Sequence, residues 1–236
     1  MKSNPSFKNQ PINNTSRALR VAADMSWLQL TWAAWFICFV ILAYALIEVN
    51  AQNFITFAFQ PSKVFMLVIG IISVSGFLSF YARFGVTRKA YFCGSSLAAA
   101  MVALVLMGGV GVVGSLQHWL IPAPERVSFL GENASWLLTV IVYILNALVY
   151  YLAGYVIGAG FYRFGKLGGM LYIVLALILL FASEAMWDLE LKDLLNRVVY
   201  IGHLPVWGSL LGTLLLAGLA LGILWATIKR VRIKIK

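Results

Sequence analysis

The residues with the strongest apparent claim to chemistry are Gly160-Phe-Tyr-Arg-Phe-Gly165-Lys166-Leu167, one residue short of a phosphate-binding P-loop. A P-loop needs Ser or Thr after the Lys to hold Mg²⁺, small loop residues whose N–H groups wrap the phosphates, and a preceding strand. Here Leu167 lacks the hydroxyl, the intervening residues are bulky, and the segment closes a long apolar run. An aromatic and basic collar at a membrane interface is the expected role, not nucleotide binding. His118 and His203 fall in no cluster with metal-ligand spacing, so loop or capping roles are expected. There is no nucleophile elbow and no carboxylate pair patterned for hydrolysis. Cys38 and Cys93 fall at or within apolar runs, where a disulfide is not expected. The chain therefore reads as a non-enzyme with no metal and no cofactor of its own.

The elements that hold these residues are set by hydropathy. Of 236 residues, 62% are hydrophobic and only 11% charged, against about 25% charged in soluble domains; mean hydropathy is +0.90. The apolar residues gather into runs near Trp27–Val49, Val64–Tyr81, Ser95–Gly114, Ser135–Phe161, Gly168–Ser183 and Val206–Ile228. A helix needs about 20 residues to cross a hydrocarbon core of roughly 30 Å. The runs are apolar on every face, without the alternation of a membrane strand. The expected fold is all-α: a polytopic membrane protein of six transmembrane helices occupying residues 16–236, behind a disordered tail over 1–15. Ser16 to Met25 is expected to form a short interfacial helix leading into the first span.

Orientation follows from the basic residues, which resist translocation. Lys2, Lys8, Arg17 and Arg20 precede the first run, Arg83, Arg88 and Lys89 follow the second, Arg163 and Lys166 follow the fourth, and Lys229, Arg230, Arg232, Lys234 and Lys236 follow the sixth. Those segments, with both termini, are expected on the cytoplasmic side. Lys63, Arg126, Lys192 and Arg197 would lie outside, with Glu184 and six of the other acids. The net charge of +10 has no soluble domain to present it to nucleic acid, and serves to orient the chain and attract anionic lipid head groups. Outside, Ser115–Ala134 reads as irregular and Trp187–Val199 as an amphipathic helix; Asn133-Ala-Ser matches a glycosylation acceptor.

The centres of the six runs hold no Asp, Glu, Lys, Arg or His, which argues against coupling to an ion gradient. Among their few polar groups Asn146 is the costliest to bury, making it, with Tyr150, the candidate pathway residue or helix-contact group. Gly154/Gly158, Gly208/Gly212 and Gly218/Gly222 suit close helix approach, chiefly within one subunit. No internal repeat is evident.

The turn after the second run, Tyr81-Ala-Arg-Phe-Gly-Val-Thr-Arg-Lys-Ala-Tyr-Phe-Cys-Gly, mixes cations with aromatic groups, and Thr87 is placed to cap a helix beginning at Arg88. Exposed aromatic and Arg groups suit docking on a partner. Phe84-Gly-Val-Thr-Arg-Lys-Ala-Tyr-Phe, together with Phe161-Tyr-Arg-Phe-Gly and the six-span layout, resembles small permease subunits of bacterial type-2 ABC exporters, particularly those of Gram-positive bacteria. The resemblance implies a coupling helix built from Arg83, Phe84, Gly85, Arg88, Lys89, Tyr91 and Phe92 that sits on a separate ATPase subunit carrying ATP and Mg²⁺. It also implies a second permease copy or sister chain, a bacterial cell-membrane location, and export of an amphipathic peptide, antibiotic or lipid. A non-transporting immunity or regulatory protein of the membrane is the alternative, and a membrane-embedded enzyme is the least supported.

Overall fold

The computed structural model describes residues 14–47, 53–120, 135–187 and 205–231. Over these residues the chain is all-α, and five helices are long and apolar enough to cross a membrane. This is the architecture of a polytopic membrane protein. The segments 121–134 and 188–204 lie outside the described residues, and with them the Asn133 sequon, His203 and all but the first residue of the expected amphipathic helix.

Helix α1 spans Asn14–Leu46, 33 residues without interruption. The expected interfacial helix is thus continuous with the first span. No Gly or Pro stands between Ser16 and Trp27 to break it, and Val21, Ala22 and Met25 are buried. Helix α4, Arg88–Leu120, covers that stripe. A Cβ on Gly94 would stand 2.7 Å from the Ala18 carbonyl, so α4 approaches α1 at backbone distance where it begins.

Helix α2, Phe54–Ser75, continues past Gly76 into α3, Phe77–Arg83. It begins ten residues before the expected start at Val64, running through Pro61 and Lys63. The polar stretch Gln60-Pro-Ser-Lys63 hid those extra turns from hydropathy. Helix α4 likewise runs past Gly114 to Leu120, taking His118 into its last turn rather than a loop. At that end the Phe54 N–H, one of the first amides of α2, donates to Gln117 Oε1 at 2.8 Å, and Gln117 Nε2 donates to Tyr44 at 2.7 Å.

Helix α5, Trp136–Met186, is 51 residues long and non-helical at Gly165, where φ is +72°. Residues 34 positions apart in a straight helix lie about 51 Å apart, yet Tyr150 donates to Glu184 at 2.8 Å. Asn146 meets Ser183 at 3.0 Å, and the rings of Phe164 and Tyr172 lie 5.5 Å apart. The chain therefore reverses at Gly165, and its two arms pack side by side. Helix α6, Val206–Ile228, packs against the second arm: Trp187 Nε1 donates to Thr213 at 2.7 Å at one end, and Tyr172 meets Thr227 at 2.9 Å at the other.

The first arm of α5 runs parallel to α2 at backbone contact. A Cβ on Gly154 would stand 2.0 Å from the Leu67 carbonyl, one on Gly158 2.6 Å from that of Ile71, and one on Gly70 2.1 Å from that of Tyr151. Gly154 and Gly158 thus pack within the subunit as expected, whereas Gly218 and Gly222 meet nothing within 4 Å.

Candidate functional site

Beside this glycine seam lies a buried ion pair. Lys63 Nζ stands 2.7 Å from Glu184 Oε1, with the side chains 2% and 0% exposed. Measured from the middle of the 54–83 helix, Lys63 is only about 8 Å from the midpoint of the span. Both residues, expected outside the apolar runs, are buried inside the bundle, Lys63 within α2 and Glu184 two residues from the end of α5. Each residue falls at the margin of an apolar run and looks, alone, like an interface charge; burial is tolerated because each neutralises the other. Tyr150 donates to the same carboxylate oxygen at 2.8 Å. The Phe59 and Tyr150 rings lie 4.6 and 5.2 Å from the ammonium, and Phe59 stacks on Tyr143 at 3.9 Å. These faces supply the negative side of their quadrupoles to the cation.

One turn of α5 before Tyr150, Asn146 Oδ1 accepts from Ser183 Oγ at 3.0 Å. Both candidate pathway residues, Asn146 and Tyr150, are thereby brought to one cluster with Glu184 and its neighbour Ser183. Two polar atoms there are buried without a partner among the described residues: Asn146 Nδ2, a donor, and Glu184 Oε2, an acceptor. In an apolar surround such leftovers are costly. The cluster can exchange hydrogen bonds with a polar guest, but it contains no nucleophile, base and orienting group in series. No group of three metal-ligating side chains occurs among the described residues.

A second buried cluster lies on the neighbouring face of the same arm. Gln29 Nε2 donates to Ser73 Oγ and to Tyr151 Oη, each at 3.0 Å, and Ser73 meets Tyr151 at 2.6 Å. Tyr91 donates to the Ser73 carbonyl, and Tyr155 meets Ser95 at 2.6 Å. These bonds tie α1, α2, α4 and α5 together. Gln29, fully buried, is a member that its place among exposed tryptophans does not reveal.

The turn after α3 is short, spanning Phe84 to Thr87. Arg83, Phe84, Gly85 and Lys89 are exposed, but α4 starts at Arg88 and runs directly on. Thr87 Oγ1 accepts from the Ala90 N–H at 3.2 Å, the expected cap. Arg88 donates to the Lys229 carbonyl at 3.0 Å, Tyr91 is buried, and Phe92 packs on Trp225 with ring centroids 5.3 Å apart. Three of the seven residues assigned to the docking turn are thus engaged inside the subunit.

Gly85 and Gly165 both have φ +72°, a left-handed conformation that glycine adopts without strain. Each ends an Arg-Phe-Gly triplet, 83–85 and 163–165, closing one of the two parallel helices. Arg163 donates to the Ala226 and Thr227 carbonyls at 3.2 and 3.3 Å. Together with Arg88 it satisfies the last carbonyls of α6, where cations are favoured. Arg17 donates to the Gly85 carbonyl at 3.4 Å. The start of α1, both Arg-Phe-Gly turns and the end of α6 therefore share one strongly basic end of the bundle. The repeated triplet was present in the sequence and is the signal that relates the two turns. No family model, no curated protein and no solved structure matches the chain.

Proposed function

We propose that this chain is the membrane-embedded permease subunit of an ATP-driven exporter, powered by a separate soluble ATPase. The observation that carries the reading is the pair of Arg-Phe-Gly turns, which project Phe84 and Phe164 with Arg83, Lys89 and Lys166 from one end. Exposed aromatic groups beside cations suit a protein partner. Counted with the two arms of α5 as separate crossings, the bundle has six spans, and the positive-inside rule puts the basic end, with both termini, in the cytoplasm of a bacterial cell. ATP and Mg²⁺ belong to the partner, and a second permease copy or sister chain completes the pathway. Asn146, Tyr150 and the Lys63–Glu184 pair are the polar groups that an amphipathic cargo would meet.

The test is co-purification of the intact chain with the ATPase encoded nearest to it, and loss of that complex in Arg83→Glu/Lys89→Glu. Arg88 is unsuitable for reversal because it holds the α6 terminus. An intact chain that retains no ATPase in mild detergent refutes the proposal. The buried ion pair favours a second reading, transport driven by an ion gradient. Cargo accumulation in proteoliposomes under a proton gradient, without ATPase, would select it.

A further inference from the structure

We propose that the groove between α1 and α3 at the basic end is a site for one anionic glycerophospholipid bearing a headgroup hydroxyl. Two adjoining hollows form it. A cavity of ≈ 440 Å³ is lined by Arg17, Arg20, Asp24, Phe80, Tyr81 and Phe84, among others. It continues through Asp24, Phe80 and Tyr81 into one of ≈ 570 Å³ that reaches Leu28, Trp32, Ile72 and Phe77. The first is charged and the second apolar, so the groove is amphipathic along its length.

Its dimensions match one leaflet. Arg17 and Trp32 are fifteen residues apart on α1, about 22 Å along the axis, while half a bilayer including head groups is about 20–22 Å thick. A phosphate between the arginines thus leaves an acyl chain running down past Leu28 and Trp32. The charges fit as well. Among the described residues the ion pair within 4 Å is Lys63–Glu184 alone, so no described carboxylate lies within 4 Å of the Arg17 or Arg20 guanidinium. Arg17 commits one N–H to Gly85, leaving most of its five donors. Two guanidinium groups and Asp24 leave one net positive charge, matching the single charge of a phosphodiester. Asp24 accepts hydrogen bonds but repels a second negative charge, which favours a hydroxyl-bearing headgroup such as glycerol over a dianionic phosphate monoester.

General attraction of basic residues to an anionic surface would give no such site, and that difference is measurable. The full chain is placed in phosphatidylcholine nanodiscs with a graded fraction of phosphatidylglycerol, released, and its retained lipids counted by native mass spectrometry. The expected result is one retained phosphatidylglycerol at fractions where phosphatidylcholine is stripped away. Arg17→Gln/Arg20→Gln should need at least about tenfold more phosphatidylglycerol, whereas Lys89→Gln/Lys166→Gln, which removes the same charge from the same end, should bind as wild type. Trp32→Ala, which keeps every charge, should also weaken retention. Equal weakening by both double variants, no preference for phosphatidylglycerol over phosphatidic acid, or full competition by water-soluble glycerophosphoglycerol would each overturn the proposal.

Discussion

Removing one member of the Lys63–Glu184 pair should destabilise the bundle far more than removing both charges. In Lys63→Met the carboxylate keeps the Tyr150 hydroxyl but loses its counter-charge at 2.7 Å. It is then an uncompensated buried anion, which costs about 3–5 kcal/mol. In Glu184→Gln the amide oxygen still accepts from Tyr150 and still faces the ammonium, and the Phe59 and Tyr150 rings continue to offer their faces at 4.6 and 5.2 Å. This variant should therefore fall at the lower end, about 3 kcal/mol. The double variant contains no charge, keeps the acceptor for Tyr150 and nearly conserves volume, so its loss should be no more than about 1–2 kcal/mol. The coupling energy of the cycle is then on the order of 4–7 kcal/mol, well above the 0.5–3 kcal/mol of ordinary neighbours. Unfolding free energies by steric trapping or graded denaturant in a fixed micelle supply the four corners. A coupling energy under about 1 kcal/mol would refute the reasoning, because it would mean that water already screens the pair.

The glycine seam and the exposed glycines of α6 predict opposite outcomes for one substitution. Gly154→Ala drives a methyl group against the Leu67 carbonyl, only 2.0 Å from the ideal Cβ, and should cost at least about 1–3 kcal/mol by thermal unfolding in detergent. Gly218→Ala meets nothing within 4 Å and should lie within about 0.5 kcal/mol of wild type. Gly165→Ala and Gly85→Ala each force a side chain to φ +72° at a cost of about 1–2 kcal/mol, and Asn at either position should recover part of it, again by thermal unfolding. Tyr151→Phe removes the hydroxyl shared by Gln29 and Ser73 and should cost about 1–3 kcal/mol; adding Gln29→Leu should restore stability rather than subtract more.

Much of this bundle is legible in hydropathy because a span is a local property: some twenty consecutive residues average to an apolar segment whatever lies elsewhere. Its margins are less legible. Gln60, Ser62 and Lys63 lower the average, and only the partner helix reveals that α2 already began at Phe54. Ser16 to Met25 reads as interfacial from its mixed polarity, yet the absence of a breaker and the Val21–Met25 stripe carry α1 straight through. Asn146 stands out because an amide inside an apolar run is anomalous by itself. Lys63 and Glu184 do not, because neither is anomalous alone and 121 residues separate them.

That separation also alters what the spans say about mechanism. Lack of charge in six apolar runs argues for a bundle moved by an external motor, but a neutralised pair is invisible to the same count. The pair sits against the seam where Gly70, Gly154 and Gly158 bring α2 and α5 to backbone contact, and those two helices end in the matched Arg-Phe-Gly turns. Each turn is joined by helix to one member of the pair, the first through α2 and α3 to Lys63 and the second through the second arm of α5 to Glu184. Both proposed energy sources would act on the same two helices. An ATPase would reach them through Phe84 and Phe164, and an ion gradient through Glu184. Selective loss of transport in Glu184→Gln while ATPase binding persists would place the pair in the moving pathway, whereas unchanged transport would leave it a structural clamp.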